Sequence, residues 1–377
     1  MTSSDVVVLG AGAIGTAVAW RCLQRGFSVT VVDPDPSAGA WSTAAGMLAP
    51  VTELAYTEPD LLALGLDSLA RYPSFVAELG EESGADVGYR ESGTLCVGWD
   101  GADLAGLRDA HRFAAGLGVE TQLVTGRELR ALEPAIAPGV PGALYAAGDH
   151  SVDPRALHAA LVAANARRGV HTVQASAEVV VDGSAVQGVR FADGTVISAG
   201  HVVVAAGCWS AQVRGLPIAV PVRAVKGQTL RLRLPHQPLT RVLRGIVRGA
   251  PIYVVPRDDG RLVVGASSEE AGYDVTPRAG AVYELLRDAQ SVLPELGEAA
   301  LDEVCTGLRP ATPDNLPLIG ATEVTGLVLA TGNYRNGILH TPVTADGVAD
   351  LIADGAVPDV LVGCTPARFE TRTVLST

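Results

Sequence analysis

The chain is short of positive charge, of cysteine, of aromatic residues and of long apolar runs, and each shortage narrows what it can be. Lys and Arg number 28 against 41 Asp and Glu, a formal net charge of -13. A partner with a phosphate backbone needs a basic stripe, and the densest basic stretch, Arg223 to Arg248, is broken by apolar strand-like residues. Nucleic acid is therefore not an expected partner. The five cysteines (Cys22, Cys96, Cys208, Cys305, Cys364) are scattered, with no CxxC pair. That pattern argues against a disulfide framework or a metal site and for a reducing compartment. No apolar run reaches the roughly 18 residues of a membrane span, and a first strand entered by about Asp5 leaves no room for a signal peptide. The expectation is a soluble, cytoplasmic, acidic protein, long enough at 377 residues for two lobes.

What is present is concentrated at the start. Val6 to Leu9 is a short apolar run suited to a buried parallel strand. Gly10-Ala11-Gly12-Ala13-Ile14-Gly15 follows at once, then a helix-like run from Thr16 to Arg25, then Val29 to Val32 ending in Asp33. This is a βαβ dinucleotide fingerprint. Gly10 makes the tight turn, Gly12 lets a pyrophosphate approach the backbone, and Gly15 lets helix and strand pack closely. A diphosphate would sit on the free N–H groups of the helix N-terminus, with Asp33 accepting hydrogen bonds from ribose hydroxyls. The motif alone leaves NAD and FAD both open.

Beyond it, Trp41 to Pro50 is rich in small residues. That suits either a helix start capped by Ser42 or Thr43 or a backbone pressed against a cofactor. Glu58 to Leu79 has helical spacing, with a kink or break expected at Tyr72-Pro73. Tyr89 to Trp99 alternates like strands about Ser92-Gly93. Asp103 to Leu117 and Thr125 to Leu132 read as helices, the second opened by a Thr125/Glu128 capping box. Asp153-Pro154 starts a further helix, and strands punctuated by Asp182-Gly183 and Asp193-Gly194 follow. His201 to Trp209 and Gly326 to Thr341 repeat the pattern of an apolar strand ending in small residues, as at a ligand crevice. Between them, Val222 to Leu234 and Pro251 to Gly265 alternate as an antiparallel sheet would. Past Pro358 the tail is expected to be peripheral.

A nicotinamide enzyme has no need for the chain to return at its C-terminus with another strand, glycine turn and helix start. FAD is longer, and its flavin end gains from a positive potential such as a helix N-terminus at Asn336-Gly337-Ile338 would give. The fingerprint, Ala44 to Pro50, Gly307-Leu308-Arg309-Pro310 and Gly332 to Leu339 together resemble the D-amino-acid oxidase superfamily of flavoproteins, and within it the glycine oxidases of thiamine biosynthesis.

The resemblance implies a mixed α/β and α+β fold. A discontinuous Rossmann-like FAD-binding domain (1–84, 146–217, 308–377) would carry an inserted antiparallel-sheet substrate domain (85–145, 218–307). Non-covalent FAD would be held by Gly10, Gly12, Ile14, Gly15 and Asp33 at its adenosine half. Thr43, Ala44, Ala45, Gly46 and Met47 would line flavin and pyrophosphate, with Val179 at the adenine and Gly207 near the inner phosphate. Gly332, Asn336, Gly337, Ile338 and Leu339 would meet the pyrimidine ring. Arg309 would pair the carboxylate of a small amino acid, helped by Tyr253 and a second arginine, Arg335, since the planar guanidinium fork matches a carboxylate. Pro251 and Ser268 stand where glycine oxidases carry a pocket histidine and methionine.

No protein acid or base is implied. Hydride passes from Cα to flavin N5, the imine hydrolyses or is handed to thiazole synthesis, and oxygen reoxidises the flavin to give hydrogen peroxide. Sarcosine, D-proline or other D-amino-acid oxidases and quinone-linked dehydrogenases of the same superfamily are the alternatives, as is a flavin-holding subunit without catalysis. Family precedent implies a homotetramer.

Overall fold

The computed structural model describes residues 2–369. The fingerprint folds as its sequence dictates. The strands Thr2–Leu9 and Val29–Val32 are parallel neighbours joined by the helix Ala13–Gln24. They sit in a sheet ordered Leu318–Ala321, Leu327–Thr331, Val196–Val204, Thr2–Leu9, Val29–Val32, His171–Val173. All these pairs are parallel except the first. Side-chain alternation splits the opening strand between two cores. Val6 and Val8 pack on the helical side with Val18, Phe75, Leu161 and Val348, whereas Val7 and Leu9 pack with Val189, Ile197 and Val204 on the other. The second side is covered by the hairpin of Ala177–Asp182 and Ala185–Phe191, which joins the sheet by pairing with Val196–Val204.

A second sheet is ordered Ala300–Ala311, Arg223–Arg233, Arg261–Gly265, Ala250–Pro256, Val242–Val247, Thr94–Gly98, Gly142–Ala146, Gln122–Thr125. Its pairs are antiparallel save Val242–Val247 with Thr94–Gly98. Period-two alternation again assigns its faces. Leu230, Leu232, Val254 and Val264 pack on the helix Ala279–Val292, while Thr229, Arg231, Tyr253 and Arg309 face the first unit. The strand Ala300–Ala311 pairs with Arg223–Arg233 along its whole length, so the second sheet extends past position 307 and carries Arg309.

Four local expectations are corrected. The helix Pro59–Ser83 continues through Pro73, so of the kink or break expected there the break does not occur. Leu69, Tyr72, Phe75 and Leu79 on its inner face are buried, and this packing outweighs the roughly 3 kcal/mol a helix-interior proline costs. Within Tyr89–Trp99 only Thr94–Gly98 is a strand; Arg90 makes a single bridge to Ser151. The helix expected at Asn336 to Ile338 is a single 3₁₀ turn at Tyr334–Asn336, and the α-helix proper starts at Thr341, ahead of Pro342. Past Pro358 the chain is not wholly peripheral: Leu361 and Cys364 are buried in the core beneath the helix Thr341–Asp354.

Candidate active site

Between the two sheets lies a cavity of about 1110 Å³, lined along its length by the fingerprint, the 38–47 segment, the strand tip at Ala205–Trp209, the inner face of the second sheet and the 330–338 turn. It exceeds the roughly 300–1,000 Å³ of common small-molecule pockets.

At one end the glycines do what their spacing predicts. Gly10 has φ +115°, and a Cβ there would stand 2.3 Å from Ala205 O; one on Gly15 would stand 1.9 Å from Gly10 O. Gly15 is thus a packing contact between helix and turn. A Cβ on Gly12 would meet nothing within 4 Å, so this glycine faces open cavity at the N-terminus of the helix Ala13–Gln24, with Ala13 and Ile14 beside it. Asp33 accepts from the Ala11 N–H at 2.7 Å and the Asp35 N–H at 2.8 Å. Its carboxylate therefore braces the glycine turn as well as lining the cavity. Trp41 stacks on His158 at 3.8 Å, and His158 donates from Nε2 to Ala11 O at 2.8 Å. Burial holds the His158 pKa below its usual value, opposed by that bond. The Trp41 indole nitrogen is buried without a partner. A Cβ on Gly39 would lie 2.5 Å from it and 3.7 Å from Gly12 Cα, which places an orphaned donor beside the pyrophosphate glycine.

The 42–46 segment resolves the choice left open by its composition. It is not a capped helix start: after a 3₁₀ turn at Ala40–Ser42 its carbonyls are taken one by one by outside donors. Arg155 and Arg231 bond Ser42 O at 2.8 and 3.1 Å, and Thr229 bonds Thr43 O at 3.0 Å. Arg231 also reaches Ala44 O at 3.3 Å, Arg257 bonds Ala45 O at 2.7 Å, and the Val152 N–H bonds Gly46 O at 2.9 Å. Among the described residues the N–H groups of Ala45 and Gly46 make no hydrogen bond, and these residues line the cavity with Thr43, Ala44 and Met47. Gly46 has φ +82°, and a Cβ there would stand 1.9 Å from Val152 O.

At the far end, Arg309 and Tyr253 are seated by glycines that sequence reasoning missed. A Cβ on Gly227 would lie 2.4 Å from the Arg309 guanidinium, and one on Gly265 would lie 2.4 Å from the Tyr253 ring. The register explains the placement, since Gly265 is the cross-strand partner of Tyr253. Arg309 donates to Ser267 O at 3.1 Å and Lys226 O at 3.4 Å. Among the described residues no carboxylate forms an ion pair with it. Burial pushes the Tyr253 phenol up, opposed by Arg309. Arg335 is differently placed: Glu58 binds it directly and Glu53 lies 3.9 Å away. Arg244, also missed, is the cross-strand partner of Tyr253 on its other side and pairs with Glu53 at 3.4 Å. Pro251 and Ser268 line the same end.

Not every expected residue lines the cavity. Gly207, Gly332, Gly337 and Ile338 do; Asn336 and Leu339 line a small adjoining pocket with Pro50 and Glu58. Val179 does not line the cavity, whereas Ala175 to Glu178 do, and its N–H is taken by Arg214 O at 2.8 Å. The N–H groups of Gly337, Ile338 and Leu339 have no acceptor among the described residues. The turn that carries them is held from behind by Ser68 and Tyr72, which donate to Leu339 O and Ile338 O. His340, wholly buried, donates to Asn333 at 3.2 Å, and burial lowers its pKa to about 3. Free N–H groups at two separate points, an orphaned indole donor and an open face at Gly12 fit a long phosphate-bearing flavin nucleotide. No group of three or more His, Cys, Asp or Glu among the described residues could hold a metal ion.

Residues 5–351 match the DAO family, FAD dependent oxidoreductase. The bifunctional protein ThiO/ThiG of a Synechocystis species is 36% identical over 382 residues, covering 99% of this chain and 55% of that protein. The chain thus spans about half the length of the bifunctional relatives it matches. The glycine oxidase of Geobacillus kaustophilus is 33% identical over 352 residues, covering 92% of each chain. The crystal structure of glycine oxidase from Geobacillus kaustophilus superposes with a TM-score of 0.90 at 31% identity, covering 97% of this chain and 98% of that one.

Proposed function

Because the chain belongs to the DAO family of FAD dependent oxidoreductases, its cofactor is FAD, and we propose that it is an oxidase of glycine and other small amino acids. The observation that carries this reading is Arg309, a guanidinium seated over Gly227 in the cavity wall without a carboxylate partner among the described residues, next to Tyr253. A planar cation left unpaired there is suited to a substrate carboxylate. Arg309 would bind that carboxylate in a fork and the Tyr253 hydroxyl would donate to it, fixing Cα in a near-attack position. Gly12, the helix N-terminus, Trp41, Ala45 and Gly46 would hold the pyrophosphate and ribityl portion, and Gly337 and Ile338 the pyrimidine end. When bound, the flavin supplies the acceptor for the Cα hydride and the route by which its electrons reach oxygen as hydrogen peroxide.

The substrate amine is neutral in this scheme, so that its lone pair assists. The imine either hydrolyses to a 2-oxo acid and ammonia or supplies the thiazole of thiamine. The ThiO/ThiG relatives support the second fate, with hand-off to a thiazole synthase as partner. A cytoplasmic homotetramer belongs to the same proposal: five free cysteines suit a reducing compartment, and light scattering of the purified protein tests the assembly.

The deciding experiment is an anaerobic screen of glycine, sarcosine and small D-amino acids, followed by loss of the visible flavin band and by peroxide on admitting air. Glycine is expected to bleach the flavin. Arg309→Ala should lower kcat/KM for glycine by about a hundredfold, the scale of a lost charged hydrogen-bond pair. Unchanged turnover would sink the carboxylate assignment.

A further inference from the structure

The substrate end of the cavity holds three guanidinium groups, Arg244, Arg309 and Arg335, and one carboxylate, Glu53, with Glu58 in the small pocket adjoining it. Glu58 is saturated: Arg335 binds one oxygen, Asn315 donates to the other at 2.6 Å, and Arg335 holds its pKa down against burial. Glu53 lies 3.4 Å from Arg244 and 3.9 Å from Arg335. Arg244 and Arg335 thus each have a carboxylate within 4 Å, and Arg309 has none among the described residues. The side chains of Glu53 and Arg244 are only 14% and 19% exposed, so their charges are weakly screened. Glu53 is also fixed in place. Its N–H bonds Ala49 O at 3.0 Å, and the turn it ends is clamped by Asp149, which accepts from the Val51 N–H at 3.0 Å and the Thr52 N–H at 2.9 Å.

We propose that Glu53 is a specificity-determining residue: by neutralising Arg244 it restricts the chamber to substrates with a single carboxylate and bars amino dicarboxylates. The inference rests on the amino-acid-oxidase reading and deepens it. Arg244 and Tyr253 are cross-strand partners on one face, so a dicarboxylate held at one end by Arg309 and Tyr253 directs its other end towards Arg244. There it meets the Glu53 carboxylate, a like charge in a poorly screened site, and a guanidinium whose ionic partner is already present. Removing the Glu53 charge frees Arg244 to take a second carboxylate.

Two ligands that cannot be oxidised at nitrogen separate the cases: methoxyacetate, an ether with one carboxylate, and diglycolate, the same ether with two. Each is titrated into the holoenzyme, with dissociation constants taken from the visible flavin spectrum and from calorimetry. Wild type is expected to favour methoxyacetate. Glu53→Gln, which keeps the shape and loses the charge, should shift the ratio of dissociation constants towards diglycolate by about tenfold or more, the worth of one charge-assisted hydrogen bond. Adding Arg244→Met to it should abolish that gain. If Glu53→Gln does not retain flavin, Arg244→Met alone decides, because it leaves Glu53 without its nearer cation and should weaken diglycolate further relative to methoxyacetate. A wild type that binds diglycolate as tightly as methoxyacetate, or variants that leave the ratio unmoved, would overturn the proposal. A flavin-loaded wild type that binds neither ligand would instead end the amino-acid reading, and this proposal with it.

Discussion

Trp41, which lines the cavity, carries a buried donor with no acceptor among the described residues. An unmade buried hydrogen bond is costly, and its formation with a phosphate or ribityl oxygen is correspondingly favourable. Trp41→Phe retains the ring that stacks on His158 and removes only the N–H. The FAD dissociation constant, measured by flavin fluorescence on titrating apoprotein, is expected to rise about tenfold; an unchanged constant would show that the donor serves no cofactor atom. At this scale the sequence was legible where a side chain carries the chemistry. Arg309 was singled out through the resemblance carried by Gly307-Leu308-Arg309-Pro310, and Gly10, Gly12 and Gly15 by their spacing. It was illegible where the contribution is an absence of side chain defined by a neighbouring strand. Gly227 and Gly265 are seats for Arg309 and Tyr253 only because of the cross-strand register. Arg335 looked equivalent to Arg309, since nothing local reveals that Glu58, 277 positions away in the chain, already binds it.

The helix Pro59–Ser83 shows the same division among elements. Its periodicity was plain, and its proline was expected to kink or break it, yet Pro73 is exposed and the helix continues because the inner face is anchored. Ser68 and Tyr72 on that face hold the carbonyls of Leu339 and Ile338, so the helix also positions the turn at the flavin end. Pro73 interrupts the backbone bonding without contributing burial, and Pro73→Ala is therefore expected to stabilise the protein, by about 1 kcal/mol or more, seen as a higher Tm with FAD affinity unchanged. A lower Tm would mean that the proline sets a bend the packing requires. The 42–46 segment was undecidable from its own residues for a related reason. Its small side chains permit close approach on either side, and which side is chosen depends on donors at Thr229, Arg231 and Arg257, far along the chain. The elements themselves were readable from local periodicity; the way Thr229 and Arg231 of the second sheet hold three consecutive carbonyls, those of Ser42, Thr43 and Ala44, was not.

The whole molecule is two sheets closed around one cavity, and two buried titratable groups brace that closure with opposite dependence on pH. His340 behind the 333–338 turn has its pKa lowered from 6.5 to about 3 by burial, aided by Arg335. It stays neutral in the fold while the unfolded chain takes up a proton below 6.5. Its stabilisation is thus complete above that pH and is lost as pH falls towards 3. Asp149, clamping the turn that ends in Glu53, has its pKa raised from 3.8 to about 6 by burial, against the hydrogen bonds from Thr52 and Val51. Its contribution has the reverse sign, complete below 3.8 and lost as pH rises through 6. Between about pH 6 and 4 the two slopes cancel, so the native protein should hold a nearly level Tm there and lose stability below it. Below pH 4.5 a third group adds to the fall, since Glu82, bonded by Arg168, Trp20 and Gln24, has its pKa lowered to about 2. Asp149→Asn removes one slope and leaves the other. Relative to wild type, the variant should lose on the order of 3 kcal/mol between pH 7 and 4, so its Tm falls across the interval where the wild-type Tm is level. Thermal unfolding of both holoenzymes at half-unit steps makes the comparison, and parallel curves would mean that Asp149 is ionised in the fold throughout.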